Sequence, residues 1–349
     1  MSNDPYLPNW ATDIADVRRF VIEAHGDAVN IPTQGATGST VHIGIIDSAS
    51  EVPAETAGET TLRQGPGHSF IDSTKPDTTN HGTEVFVIAS AYCPAATYSL
   101  YQAVRADRKI PIEAFADGIT AAIDDGVDIL NISAGEPWGG PIDANPYVSE
   151  LKRAIAAGII VVGAAGNWKV TQENRPPVHC PGALQDVIAV GGFVTDCPAK
   201  MGEEPADSPV GPYYIAHDPQ STYGDRIPEG PFCGRNGCTD GKGCISNNRE
   251  RPWEYNPSPI GEKPEVLAPV HIPTVNADGN PILDIGTSFA APIVTGSLGT
   301  ILDELRRSEG SELTPYRARE SVMDGATEIY EGTLRKYDAM GTREALGLL

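Results

Sequence analysis

Three residues far apart in the chain have the types and settings for nucleophilic chemistry. Ser288 lies in Gly286-Thr287-Ser288-Phe289-Ala290-Ala291-Pro292, between small residues, at the opening of an apolar run that Pro292 can start as a helix. A hydroxyl there becomes a nucleophile only where a base takes its proton and an acid orients that base. His81, in Asn80-His81-Gly82-Thr83-Glu84-Val85-Phe86-Val87-Ile88-Ala89, offers the base in the first turn of an otherwise apolar helix. Asp47 ends Val41-His42-Ile43-Gly44-Ile45-Ile46-Asp47, a β-branched run that reads as a buried strand. A carboxylate at such a tip is costly unless something pairs with it.

In this order and with these flanks, the three segments resemble the subtilisin-type serine peptidases (subtilases), over about residues 38 to 326. The resemblance implies that Ser288 attacks a scissile carbonyl while His81 takes its proton. Asp47 would hold the imidazole in the required tautomer and stabilise the imidazolium. Gly158-Ile159-Ile160-Val161-Val162-Gly163-Ala164-Ala165-Gly166-Asn167 is a strand running into small residues and an amide. Read alone, its Gly-Asn end is a turn signal. By the resemblance, Asn167 donates its amide to the oxyanion beside the backbone N–H of the nucleophile.

The segment Asp128-Ile129-Leu130-Asn131-Ile132-Ser133-Ala134-Gly135 is similar to the family strand that pairs with an extended substrate. Ser133, Ala134 and Gly135 would then form one wall of a roomy, apolar specificity pocket, and Ala164, Ala165 and Gly166 the other. The chain departs from the family pattern at Ala49, Glu84, Glu136, Val270 and the Trp168-Lys169 pair. None of these removes a catalytic atom; they bear on substrate preference.

The elements that must position these residues are legible as alternation. Apolar strand-like runs at 41–46, 97–104, 127–132, 159–163 and 187–190 alternate with helix-like stretches at 84–92, 111–125 and 147–157. Such alternation predicts an α/β fold, a mostly parallel sheet covered by helices on both faces; the resemblance makes it the three-layer subtilisin-like one. Further helices are expected at 289–306 and 314–324. With 349 residues and 40% hydrophobic content the chain can bury a large core. Residues 38–349 read as one catalytic domain. Residues 1–37 form an N-terminal extension with a helix at 13–25, and self-inhibition by this extension is an expectation. Residues 196–260, rich in Pro, Gly, Cys and Asn, read as an insertion or loop region.

Six cysteines occur, at 93, 180, 197, 233, 238 and 244. Cys93 and Cys180 adjoin core segments and read as small buried residues. Cys197, Cys233, Cys238 and Cys244 offer four thiols, enough for zinc, but lack the tight Cys-x2-Cys pair; a disulfide or free thiols are the alternatives. No cofactor is called for. Calcium sites are common in the family, yet no Asp-rich loop of matching spacing occurs, and Asp72, Asp77 and the Asp124-Asp125 pair read as solvated charges.

The chain carries 47 acidic against 25 basic residues, a formal charge of −22. That field repels nucleic acid, so the expected partner is a protein or peptide substrate. The start Met1-Ser2-Asn3-Asp4-Pro5 has no basic region and no apolar core, and no run reaches the roughly 18 apolar residues of a membrane span. The expectation is a cytoplasmic protein without membrane association, unless the chain is a trimmed mature form.

The activity implied is a serine endopeptidase working through an acyl-enzyme. Two alternatives share the fold: a peptide-maturing acyl transferase or cyclase, and a catalytically silent binding module. The presence together of Asp47, His81, Asn167 and Ser288 speaks against the last.

Overall fold

The computed structural model describes residues 13–26, 29–32, 37–49, 51–71, 80–105, 109–136, 144–167, 178–193, 263–275, 279–329 and 334–349. The four cysteines weighed for zinc, and Trp168 with Lys169, lie outside them. The strands are β1 (His42–Asp47), β2 (Thr61–Arg63), β3 (Thr97–Gln102), β4 (Ile129–Ile132), β5 (Ile160–Ala164), β6 (Ile188–Phe193), β7 (Val266–Pro269), β8 (His271–Val275), β9 (Pro281–Ile285), β10 (Thr327–Ile329) and β11 (Leu334–Lys336). Nine of them make one sheet in the order β10-β11-β7-β6-β5-β4-β1-β3-β2, parallel except for the antiparallel pair β10–β11. Strands β8 and β9 pair separately as an antiparallel hairpin.

The helices are α1 (Ile14–His25), α2 (Ala54–Ala57), α3 (His81–Tyr92), α4 (Ile112–Asp124), α5 (Val148–Ala156), α6 (Thr287–Glu309), α7 (Pro315–Gly325) and α8 (Ala339–Ala345). Because successive strand residues point to opposite faces, the central strands feed two cores. Ile43, Ile45, Ile129, Ile160 and Val162 join the core that holds the apolar faces of α1, α3 and α6. Ile46, Leu130, Ile132 and Val161 join the one that holds those of α4 and α5. Both faces are thus covered, which is the three-layer α/β arrangement the alternation predicts.

Register sets the site. Ile46 stands opposite Ile132, Ile132 opposite Gly163, and Asp47 opposite Gln102. The carboxyl ends of β1, β4 and β5 therefore finish level, at the point where β1 has β3 on one side and β4 on the other. Crevices at such a reversal of strand order are where open α/β sheets bind ligands.

Two helices cross closely beneath that edge. A Cβ on Gly296 would lie 2.5 Å from the Ala89 carbonyl oxygen, and one on Gly299 2.7 Å from Cys93 Sγ. Only glycine lets α6 lie this close to α3. Cys93 and Cys180 are both buried free thiols, as the sequence suggested.

The segment read as an N-terminal extension packs its helix into this body. Val17 and Val21 of α1 are fully buried in the core that contains α3. Arg18 donates to Ser90 Oγ (3.1 Å) and to the Thr56 carbonyl (3.1 Å). Asp125, expected to be solvated, accepts a hydrogen bond from the Tyr101 hydroxyl (2.7 Å). Among the described residues no helix is long and apolar enough to cross a membrane, and no three His, Cys, Asp or Glu side chains group to hold a metal.

Candidate active site

Asp47 is 1% exposed at the end of β1. Its Oδ1 accepts from its neighbour's amide, Ser48 N (2.7 Å), and faces His81 Nδ1 at 2.8 Å. Oδ2 has no hydrogen-bond partner among the described residues. A carboxylate facing Nδ1 selects the tautomer that carries the proton there, which leaves the Nε2 lone pair outward. His81 is the first residue of α3. Burial opposes its charge, but the charge and hydrogen bond of Asp47, then Glu84 and Asp284, overcome this and raise its pKa to about 9.

The turn into α3 is held by Asn80, which adopts a left-handed conformation (φ 53°) that asparagine tolerates better than most residues. Its side-chain amide donates to the Val275 carbonyl (3.2 Å) at the end of β8.

Ser288 is the second residue of α6 and 8% exposed. The ring of the next residue, Phe289, lies 5.3 Å from the His81 imidazole between centroids, so the start of α6 abuts the start of α3. Pro292 does not start this helix, as its sequence suggested, but sits inside it. Proline has no N–H for the carbonyl four residues back, and here that carbonyl belongs to Ser288. The Ser133 hydroxyl takes its place, donating to the Ser288 oxygen at 2.7 Å. Ser133 in turn accepts from Asn131 Nδ2 (2.9 Å), whose Oδ1 accepts from Thr295 Oγ1 (2.9 Å). A buried chain of three polar side chains thus fixes the Ser288 backbone. Sequence reasoning missed it, although the proline spacing from Ser288 carried the signal.

Asn167 is oriented by two donors on one oxygen. Thr287 N and Thr287 Oγ1 both bond its Oδ1 at 2.9 Å, and Thr287 Oγ1 also accepts from Gly166 N (3.1 Å). A backbone N–H can only donate, so the amide's orientation follows from chemistry. Its Nδ2 is then the donor end, next to Gly286, where an added Cβ would be 3.2 Å away.

Much of the room expected in the pocket is occupied from behind. Ser133 turns its hydroxyl under Ser288 and is 3% exposed. A Cβ on Gly135 would meet the Cys180 carbonyl oxygen at 2.6 Å, and one on Gly166 would meet the His179 ring at 2.5 Å. Gly166 also needs its glycine for a φ of +106°. Ala164 and Ala165 are 5% and 0% exposed, whereas Ala134 and Gly135 keep part of their surface. The glycines there are required by the protein's own packing.

Residues 38–341 match the sequence model of the Subtilase family. Subtilisin DY of Bacillus licheniformis is 30% identical over 175 residues, 47% of this chain and 60% of its own length. Subtilisin E of Bacillus subtilis (strain 168) is 28% identical over 171 residues, 46% of this chain and 42% of its own length. The matched stretch thus spans less than two thirds of either relative. Among solved structures, a lanthipeptide protease aligns over 98% of this chain and 95% of its own with a TM-score of 0.60 and 16% identity. The self-cleaved protease domain of PatA aligns over 90% of this chain and 98% of its own, with a TM-score of 0.58 and 20% identity. These likenesses are of fold.

Proposed function

The chain belongs to the subtilase family, and from that premise we propose that it is a serine endopeptidase acting on a protein or peptide. The observation that carries this reading is the 2.8 Å pairing of Asp47 with His81 beside the α6 turn that bears Ser288. Ser288 Oγ attacks the scissile carbonyl carbon and its proton passes to His81 Nε2. The oxyanion is met by Asn167 Nδ2 and the Ser288 backbone N–H, which needs no partner in the first turn of its helix. Collapse of this intermediate breaks the C–N bond, and the imidazolium protonates the leaving amine. Water then enters by the same route and hydrolyses the acyl-enzyme. The substrate lies extended along 133–135, adding its backbone to that edge, with 164–166 as the facing wall of the pocket.

Labelling with an alkyl fluorophosphonate, read by intact mass, tests the reading. One adduct per chain, mapped to Ser288, is the expected result; an unlabelled chain with its native fold would overturn it.

The amide donor has its own signature. Asn167→Ala is expected to lower kcat by about 10²–10³-fold with a much smaller change in KM, because the donor acts on charge that exists only near the transition state. Steady-state kinetics on one peptide checks this. An unchanged kcat would remove Asn167 from the oxyanion site.

A further inference from the structure

A third segment runs between the two expected pocket walls, bonded to one and to the residue that follows the other. His179 N donates to the Ala165 carbonyl (2.9 Å) on one side. On the other, Cys180 and Glu136 exchange both backbone bonds, at 3.0 and 3.2 Å. The side chain of His179 is thereby carried into the space between the walls.

Its imidazole lies face-on against the bare Cα of Gly166: a Cβ there would be 2.5 Å from Cγ, 2.6 Å from Cδ2 and 2.7 Å from Nδ1. Towards the opposite wall, a Cβ on Gly135 would be 3.2 Å from the His179 Cβ, and the ring hydrogen-bonds the Gly135 backbone. Glycine on both sides leaves a slot that the His179 side chain already fills, its Cβ towards Gly135 and its ring on Gly166. His179 is only 7% exposed. Burial pushes its pKa down to about 4, so it fills the slot as a neutral body rather than as a cation.

We propose that the His179 imidazole is the floor of the pocket for the residue on the acyl side of the scissile bond, restricting that residue to short side chains such as those of glycine, alanine and serine. A large apolar or aromatic side chain would have to displace a ring that is bonded to one wall and stacked on the other. This inference rests on the peptidase reading, because it concerns the same substrate.

The test uses two peptides identical except for alanine or phenylalanine at the acyl-side position, with fluorophosphonate labelling as an independent report of an assembled centre. The expected result is that the wild-type chain cleaves the alanine peptide with a kcat/KM at least about tenfold higher, the scale on which pocket contacts discriminate. His179→Ala should reduce or reverse that ratio by about tenfold or more, whereas His179→Leu, which keeps bulk without the imidazole, should largely preserve it.

Three outcomes would overturn the inference: a wild-type preference for phenylalanine, an unchanged ratio in His179→Ala, or a ratio lost equally in His179→Leu. Should the alanine variant fail to fold, the wild-type ratio still decides. A wild-type chain that neither labels nor cleaves would sink the peptidase reading itself, and the inference with it. Labelling accompanied by the wrong preference would sink the inference alone.

Discussion

Ser288→Ala is expected to abolish peptide cleavage while leaving the fold as stable as before. The loss in turnover should be on the order of 10⁶-fold, the scale measured when a subtilisin-type nucleophile is deleted. Stability should change by no more than about 1 kcal/mol, because what anchors this turn is the Ser288 backbone and not its hydroxyl. The carbonyl is held by Ser133 at 2.7 Å, and Thr287 N by Asn167 at 2.9 Å, whichever side chain stands between them. Turnover on a cleavable peptide and a denaturant melt of the same preparation check both halves. Residual turnover above that level would move the nucleophile elsewhere.

Asp47→Asn should cost about 10⁴-fold in kcat, as for the corresponding carboxylate in other triads, and it should also move a pH inflection. His81 acts as a base only when neutral. With its pKa raised to about 9, largely by Asp47 against the opposing effect of burial, kcat/KM of the wild-type chain should climb with pH until about 9. Removing the Asp47 charge leaves burial less opposed, so the inflection of the variant falls to lower pH. The direction has a counterpart in stability. A histidine whose pKa is higher folded than unfolded stabilises the fold fully below about 6.5, and that contribution fades as pH rises through about 9. Rate–pH profiles of the two chains decide; coincident inflections would show that Asp47 does not set the His81 charge.

The sheet and its five central strands were legible because their residues are apolar on both faces and bounded by polar turns, as in the Ile43–Ile46 and Ile160–Val162 runs. Asp47 and His81 were legible for a related reason: a charged or titratable group at the edge of an apolar run stands out. The β8–β9 hairpin was not. Pro273 interrupts β8, and proline inside a short run argues against a strand. Strands β10 and β11, three residues each, are too short to show a period. The direction of Ser133 could not be read from its own segment, since it is decided by a carbonyl on α6 that Pro292 leaves without its usual donor. His179 was hidden for the same kind of reason. Its importance lies in what glycines at 135 and 166 leave open, and those glycines already had a sufficient explanation as substrate space.

The glycine crossing of α3 and α6 makes the site a pair of tongs whose pivot is in the core. Gly299 is eleven residues from Ser288 along α6, about 16 Å at 1.5 Å per residue. A tilt of about 5° at the pivot would carry the serine roughly 1.4 Å sideways over that length. Misplacement of about 1 Å can cost 10²-fold in rate. The reach between His81 and Ser288 is therefore a property of interior volume as much as of the two side chains themselves. A methyl group on a glycine deep in the core would act on the proposed chemistry through leverage, with the side chains of His81 and Ser288 untouched.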